Sequence, residues 1–518
     1  MSTNDLDLPL VSLRKQLSIR GLVELKSTSS QSQSLFVVLC GSLGQIVVQL
    51  ALQVVLASKF GSGEQVAAYQ AAFSLPTALA AMVAGPLGIA FIPRYQKLRN
   101  DDPARAESLL PTLTLIVVVC GFVVSGLLTL FAGPVMRSIV PGFTAEQVAR
   151  STPLFQILVW NIPLMVLVGL FQTALNARFN FFIPAVAGVV GPTVTVACMW
   201  AGAAHLGIAS LAWGVVAGSL SSVLLQGISL WGGMRFPTRG NVTEHIRGIA
   251  LLAIPAALGM LLIRIDPVVD GYVLASPEPE RFANWGWALR IMNMFVLVSS
   301  GVLSTVAFPR LSRGAATGVE ALRKEVRNAL RLFLWVSLPT FAVMTLFGKA
   351  LIHDLLERGE FLPTDTAAVA YLMLLLAVMV VAAGLGEICG KTFYAQHDTM
   401  TPLVLTTIAV GCMIAVKLMF VLPGDVEKLA TINSSVFACS ACVQLALIGW
   451  RLSTDVFAGL WIPLLRCLLA TGVTVCWGKL VESSGLPYAG LAGLLSGTAI
   501  YFGCLWVGGE LKSLSLAE

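Results

Sequence analysis

An all-α protein that threads a membrane about fourteen times is the fold this sequence predicts, and three observations predict it. Of its 518 residues 57% are apolar and 12% charged, about half the charged share of an ordinary soluble domain. The apolar residues gather in runs of about 20, the length that carries a helix across a bilayer core. The basic residues fall unequally on the two sides of those runs, as they do in inner-membrane proteins. Together these exclude a secreted protein, a nucleic-acid binder and a soluble enzyme. The net charge of +6 follows from the loops and forms no patch suited to nucleic acid.

The segments lie at about 35–57, 66–92, 109–132, 152–172, 182–203, 207–231, 247–270, 282–306, 328–348, 366–389, 401–421, 430–450, 459–480 and 487–508. Lipid leaves a backbone only helices or closed barrels, and unbroken runs without strict alternation choose helices. Before them, residues 1–34 form a polar, Ser-rich arm with a weakly amphipathic basic stretch from Leu8 to Leu25. The expected organisation is a first six-helix lobe over 35–231 and a second over 247–450. Helices 13 and 14 over 459–508 and a tail over 509–518 complete it. Counting Lys and Arg on alternate sides places 21 with the termini and 10 opposite, leaving Arg290 and Arg466 inside spans. Both termini are therefore expected in the cytoplasm.

An internal repeat supports the two lobes. Leu56-Ala57-Ser58 returns as Leu274-Ala275-Ser276, and Phe91-Ile92-Pro93-Arg94 returns as Ala307-Phe308-Pro309-Arg310. Pro141-Gly142-Phe143 returns as Gly359-Glu360-Phe361, and Asn176 to Pro184 returns as Tyr394 to Pro402. Four ordered matches at offsets of 216 to 218 indicate duplicated bundles. An offset of an even number of spans makes the repeats parallel, related by an axis along the membrane normal. Such a pair of lobes suits an alternating-access transporter.

Ionisable groups inside spans are expensive and mark function. Between residues 35 and 230 every Asp and Glu lies in a loop, so charge handling is expected in the second lobe. Arg290 is the leading candidate for substrate binding, because its donor fork fits phosphate oxygens; the alternative is a structural pair with Asp266 or Asp270. Those two aspartates, one turn apart, are either interfacial partners of Arg264 or Arg281, or a site that couples a monovalent cation to movement. Glu387 and Lys391 have the i,i+4 order of a helix-surface ion pair, with a headgroup-entry role as the alternative. Asp398, Thr399 and Thr401 stand where a helix N-terminus wants capping oxygens, with cation binding as the other reading. Cys439 and Cys442 stand alone without a second Cys/His pair, and His205, His245, His353 and His397 are scattered; neither set makes a metal or catalytic centre. Gly214/Gly218 and Gly493/Gly497 are small-residue packing faces.

The stretch Phe393-Tyr394-Ala395-Gln396-His397-Asp398-Thr399-Met400-Thr401-Pro402 resembles the FYA-R-x-D-T-x-T-P signature of the MurJ/MviN lipid II flippases. Their superfamily also contains polysaccharide exporters and multidrug antiporters. Val140 to Phe143 is similar to that family's APGF, Ala90 to Pro93 to its AFVP, Leu355 to Phe361 to its LFxxGxF, and Leu289-Arg290-Ile291 to its D-R-L. The resemblance runs from about residue 40 to 510. It implies a non-enzymatic flippase that moves undecaprenyl-pyrophosphate-linked peptidoglycan precursor across the bacterial inner membrane. It implies no cofactor beyond coupling to the membrane potential or a monovalent cation. Its expected partners are the lipid-linked saccharide, membrane lipids and cell-wall synthesis proteins. The family's charged first-lobe positions are neutral here: Leu52-Gln53 replaces an Arg-Asp pair, Ala67 replaces an Asp, and Thr77 to Gly85 carries no charge. Export of another polyprenyl-linked oligosaccharide and a non-transporting scaffold paralogue are therefore the alternatives. Drug or cation antiport is less favoured, because the first lobe has no embedded carboxylate.

Overall fold

The computed structural model describes residues 41–178, 180–231, 239–484 and 488–509. The arm over 1–34 and all of the tail after residue 509 lie outside the described residues. Among the described residues the secondary structure is helical, without strands. The first lobe contains α1 (Gly41–Phe60), α2 (Glu64–Asp101), α3 (Pro103–Leu130), α4 (Ala132–Ile139), α5 (Ala145–Leu158), α6 (Asn161–Ala177), α7 (Phe182–Leu206) and α8 (Ala209–Trp231). The second contains α9 (Arg239–Leu274), α10 (Pro279–Thr317), α11 (Val319–Ala342), α12 (Gly348–Leu356), α13 (Pro363–Ala395), α14 (Met400–Phe420) and α15 (Val426–Leu452). Helices α16 (Trp461–Ser483) and α17 (Ala489–Val507) follow.

Each of the fourteen expected segments coincides with helix over its described residues, most of which are helical. Twelve spans among the described residues are long and apolar enough to cross a membrane; α9 and α10 are helices of 36 and 39 residues at the seventh and eighth segments. The fourth segment is two helices, α5 and α6, which meet at Val159 and Trp160. A glycine with positive φ follows several helices, at Gly207, Gly318 and Gly424, where an L side chain would be strained.

The repeat extends beyond the four sequence matches. The short helix α4 has its counterpart in α12, and each leads into a glycine-bearing loop, Pro141-Gly142-Phe143 or Arg358-Gly359-Glu360-Phe361. Each loop docks on the other lobe. A Cβ on Gly142 would lie 1.9 Å from the Ala275 carbonyl oxygen, and one on Gly359 would lie 2.1 Å from that of Ser58. The Leu-Ala-Ser landmark of each lobe is thus the seat for the other lobe's loop. The glycines are there because no side chain fits between the two backbones.

Further hydrogen bonds join the lobes at this end. Ser62 Oγ donates to Asn284 Oδ1 at 2.6 Å, Trp287 Nε1 to Gly61 O at 3.1 Å, and Gln147 Nε2 to Pro277 O at 3.0 Å. Trp287, Phe361, Leu56, Ala57, Leu274 and Ala275 are buried among them in one continuous apolar core. This is the closed end of the molecule, opposite the end at which α1 begins.

Candidate functional site

Below the closed end lies a cavity of about 500 Å³ walled by α1, α2, α6, α7 and α8. Its polar surface is amide and hydroxyl. Gln45, Gln49 and Gln53 project from α1 at four-residue spacing, joined by Gln172, Gln226, Thr195, Ser219 and Ser222. The side-chain oxygen of Gln226 is buried with no donor. Among the described lining residues one charge is present, and it comes from the other lobe: Arg290 of α10.

Arg290 is half-buried. Its Nη1 donates to Gln53 Oε1 at 3.5 Å, a long bond, and its guanidinium carbon sits 5.9 Å from the Tyr69 ring centroid and 5.5 Å from that of Trp287. The aromatic faces hold the cation while most of its donor fork stays uncommitted. A cation with free donors beside neutral amides can bind a phosphate and the hydroxyls of a sugar at once.

The other expected site residues fall elsewhere. Asp266 and Asp270 do not meet Arg290, Arg264 or Arg281. Both accept from Lys417 Nζ of α14, each at 2.7 Å, and the Lys417 side chain is fully buried. Lys417, counted in the sequence with the loop charges, is an embedded residue in the last turn of its helix. Arg281 instead pairs with Glu278 at 2.7 Å and lies 3.9 Å from Glu427. The cation beside the aspartates is therefore the chain's own ammonium, and the expected partners are corrected.

Glu387 and Lys391 do pair, at 3.5 Å. They line a second cavity of about 310 Å³ inside the second lobe, with α14, α15 and Ile263 of α9 as its other walls. Lys391 also lies 5.1 Å from the Phe308 ring centroid. This pair and Arg290 line different cavities, so the structure does not bring the three expected substrate-binding residues together. Asp398, not Thr399, caps α14: its Oδ1 accepts from the Thr401 backbone at 2.9 Å and its Oδ2 from Thr401 Oγ1 and Arg451 Nη1, each at 2.6 Å. The bonds from Thr401, with help from Arg451, hold this carboxyl well below the usual carboxylate range. No cluster of three or more metal-ligating side chains occurs among the described residues. The packing faces are as expected: a Cβ on Gly218 would meet the Gly191 carbonyl oxygen at 2.4 Å, and Gly493 packs on Gly478.

The two lobes, the cavity between helices and the closure at one end define a two-lobe membrane transporter fold. The solved structure titled "Lipid II flippase MurJ, inward closed conformation" superposes with a TM-score of 0.78, covering 93% of this chain and all of that one at 17% identity. An inward-facing multidrug resistance MATE transporter matches with a TM-score of 0.67 over 80% of this chain and 96% of its own, at 15% identity. The family described as "Lipid II flippase MurJ" matches residues 56–488, and the chain belongs to that family. Probable lipid II flippases MurJ of Rhizobium meliloti and Rhizobium tropici are 24% and 27% identical to it. The first comparison covers 91% of this chain and 93% of the relative, and the second covers 73% of each.

Proposed function

We propose that the chain flips lipid II from the inner to the outer leaflet of the bacterial cell membrane by alternating access. The observation that carries the reading is Arg290, a guanidinium presented to a neutral, amide-lined cavity. A pyrophosphate suits the cation, and saccharide hydroxyls suit glutamines, which donate and accept. The excess of basic residues beside the termini supports an orientation with those termini in the cytoplasm and the closed end outside. In that orientation the amide cavity is ready to load from the inner side. Outward movement of an anion down an inside-negative potential releases about 2.3 kcal/mol per charge per 100 mV, which makes the membrane potential a sufficient drive. The Asp266–Lys417–Asp270 cluster is read as a structural clamp between α9 and α14.

The test is rescue of a bacterium whose own lipid II flippase is shut off, with labelled lipid II at the outer leaflet as the readout. Wild type restores the signal, and Arg290→Ala at equal expression does not. No rescue by well-expressed wild type sinks the assignment. Rescue by Arg290→Ala removes the arginine from the path.

A further inference from the structure

At the end opposite the closure, the first turns of α11 carry a basic stripe that the transport site does not use. Arg323, Lys324, Arg327 and Arg331 recur at the three- and four-residue spacings that share a helix face. They lie beside the turn Thr454–Phe457 that leads into α16. Arg323, Lys324 and Arg327 wall a surface pocket of about 450 Å³ together with Glu320 and Asp455.

The two carboxylates that line the pocket are already engaged, while on the same helix Glu325 Oε2 is buried without a donor. Glu320 pairs with Arg323 at 3.1 Å, and Asp455 Oδ2 accepts from Ser453 Oγ at 2.9 Å. Arg323 donates its Nε to Leu452 O, and Arg327 donates Nη2 to Asp455 O at 2.5 Å; both tie the stripe to the α15–α16 turn. What remains is donor surplus. The Nε atoms of Arg327 and Arg331 are buried without an acceptor, and Lys324 is exposed. Such orphaned donors cost free energy unless a ligand supplies oxygen.

One turn deeper than Arg331, α11 meets α16 and α17 in a separate apolar cluster built on Trp335, Cys467 and Tyr501. A rise of about 1.5 Å per residue puts Arg331 only ~6 Å from that apolar layer. The surplus donors thus sit where polar headgroups give way to acyl chains.

We propose that this stripe is a binding site for the headgroup phosphate of an anionic phospholipid in the leaflet at the termini-bearing end. Arg327 and Arg331 donate to the phosphate, and Lys324 adds charge at its rim. Basic pockets between membrane helices at this depth recognise anionic lipid. Because Arg323 and Arg327 also hold the α15–α16 turn, an occupied site braces helices α16 and α17 against the second lobe.

The test uses full-length protein in nanodiscs of phosphatidylcholine alone or with a third phosphatidylglycerol, and reads lipids retained by native mass spectrometry together with thermal stability. Wild type is expected to retain phosphatidylglycerol preferentially and to unfold at higher temperature in its presence. Arg327→Gln with Arg331→Gln loses the preference, about fivefold per arginine at the ~1 kcal/mol that each basic residue contributes at a membrane surface. In phosphatidylcholine alone the double variant melts lower by its lost Arg327–Asp455 bond. The reading is therefore the stabilisation that phosphatidylglycerol adds over phosphatidylcholine within each protein, which wild type shows and the double variant does not. Lys324→Gln, an exposed change that leaves the turn untouched, gives a smaller loss in the same direction. Equal retention of the two lipids by wild type, or an undiminished preference in the double variant, overturns the proposal. Stabilisation by inorganic phosphate in phosphatidylcholine equal to that by phosphatidylglycerol also overturns it, in favour of a soluble anion.

Discussion

Alanine at Gly142 should open the closed end. Its new Cβ would stand 1.9 Å from the Ala275 carbonyl oxygen and 2.6 Å from that carbonyl's carbon. Ordinary contact begins at 3.4 Å, so the two backbones must separate by about 1.5 Å in a region packed like a crystal. Overpacking of this kind costs about 1–3 kcal/mol. The whole cost falls on the closed arrangement, because the contact is between lobes. At about 2 kcal/mol the ratio of closed to open molecules falls roughly thirtyfold. Gly359→Ala should act in the same direction through its Cβ contact with Ser58 O at 2.1 Å, and its φ of +61° adds strain within the loop itself.

The assay is a pair of spin labels on Cys replacements at Lys59 and Glu280. These are exposed residues on opposite lobes at the closed end, and the exposed native cysteines are replaced first. A long-distance population should appear in Gly142→Ala and Gly359→Ala. It should not appear in Gly133→Ala, where a Cβ meets nothing within 4 Å. Identical distance distributions in all four proteins would refute the interlocked-loop account of closure.

Other outcomes follow from the side-chain chemistry. Lys417→Met leaves the buried Asp270 and the part-buried Asp266 without their cation and should lower stability by about 3–5 kcal/mol. Adding Asp266→Asn and Asp270→Asn should recover most of it, and a single variant that melts with wild type in detergent would show that the cluster is not a clamp. Arg290→Gln should cut lipid II transport at least about tenfold, the 1.4 kcal/mol or more of one charged hydrogen bond, with unchanged melting. Arg290→Lys should fall between the two, since a point charge replaces a fork; equal transport by all three would remove the arginine from the substrate's route. Asp398 has its folded pKa depressed, so the stability it adds is fully present above its unfolded value near 4. It is lost only as pH falls through the lower folded value. The melting difference between wild type and Asp398→Asn should therefore stay constant from pH 8 to 5 and shrink below about pH 4; a difference that disappears by pH 6 contradicts this.

The helical segments were legible because lipid imposes one length and one backbone solution, so apolar runs map directly onto helices. The repeat was legible for a related reason: the interlock at the closed end needs Leu-Ala-Ser seats and glycine loops twice. Those constraints survived in both halves. Charge partners were harder to read, because pairing in a bundle joins residues far apart in sequence. Asp266 and Lys417 are 151 positions apart, and nothing local in either segment announces the other. A signal was nevertheless present, since Lys417 falls inside the eleventh apolar run and embedded lysines require a buried counter-charge. The first-lobe cavity was harder to read because its own lobe gives it no charge. Gln45, Gln49 and Gln53 repeat at one-turn spacing, a polar stripe inside an apolar run, and that period alone marks a wet wall.

The placement of Arg290 links closure to affinity. The arginine belongs to α10, yet Gln53 and Tyr69, which position it, belong to α1 and α2, and the cavity that it completes is walled by first-lobe helices. Across the same boundary run the Ser62–Asn284 and Trp287–Gly61 bonds, the latter from the residue three positions before Arg290. Parting the lobes at this end must therefore draw the guanidinium away from the amide wall. On the proposed reading, a pyrophosphate held jointly by the two would lose its cation from the first-lobe site as the outer path opens. A ligand shifts a conformational equilibrium only by its difference in affinity between states, and here that difference is built by splitting one site between two moving bodies. In Gly142→Ala, lipid II should then bind more weakly, with Arg290 intact, by a factor that tracks the open fraction seen with the spin labels. Unchanged affinity in a variant shown to be open would mean that the arginine acts from the second lobe alone.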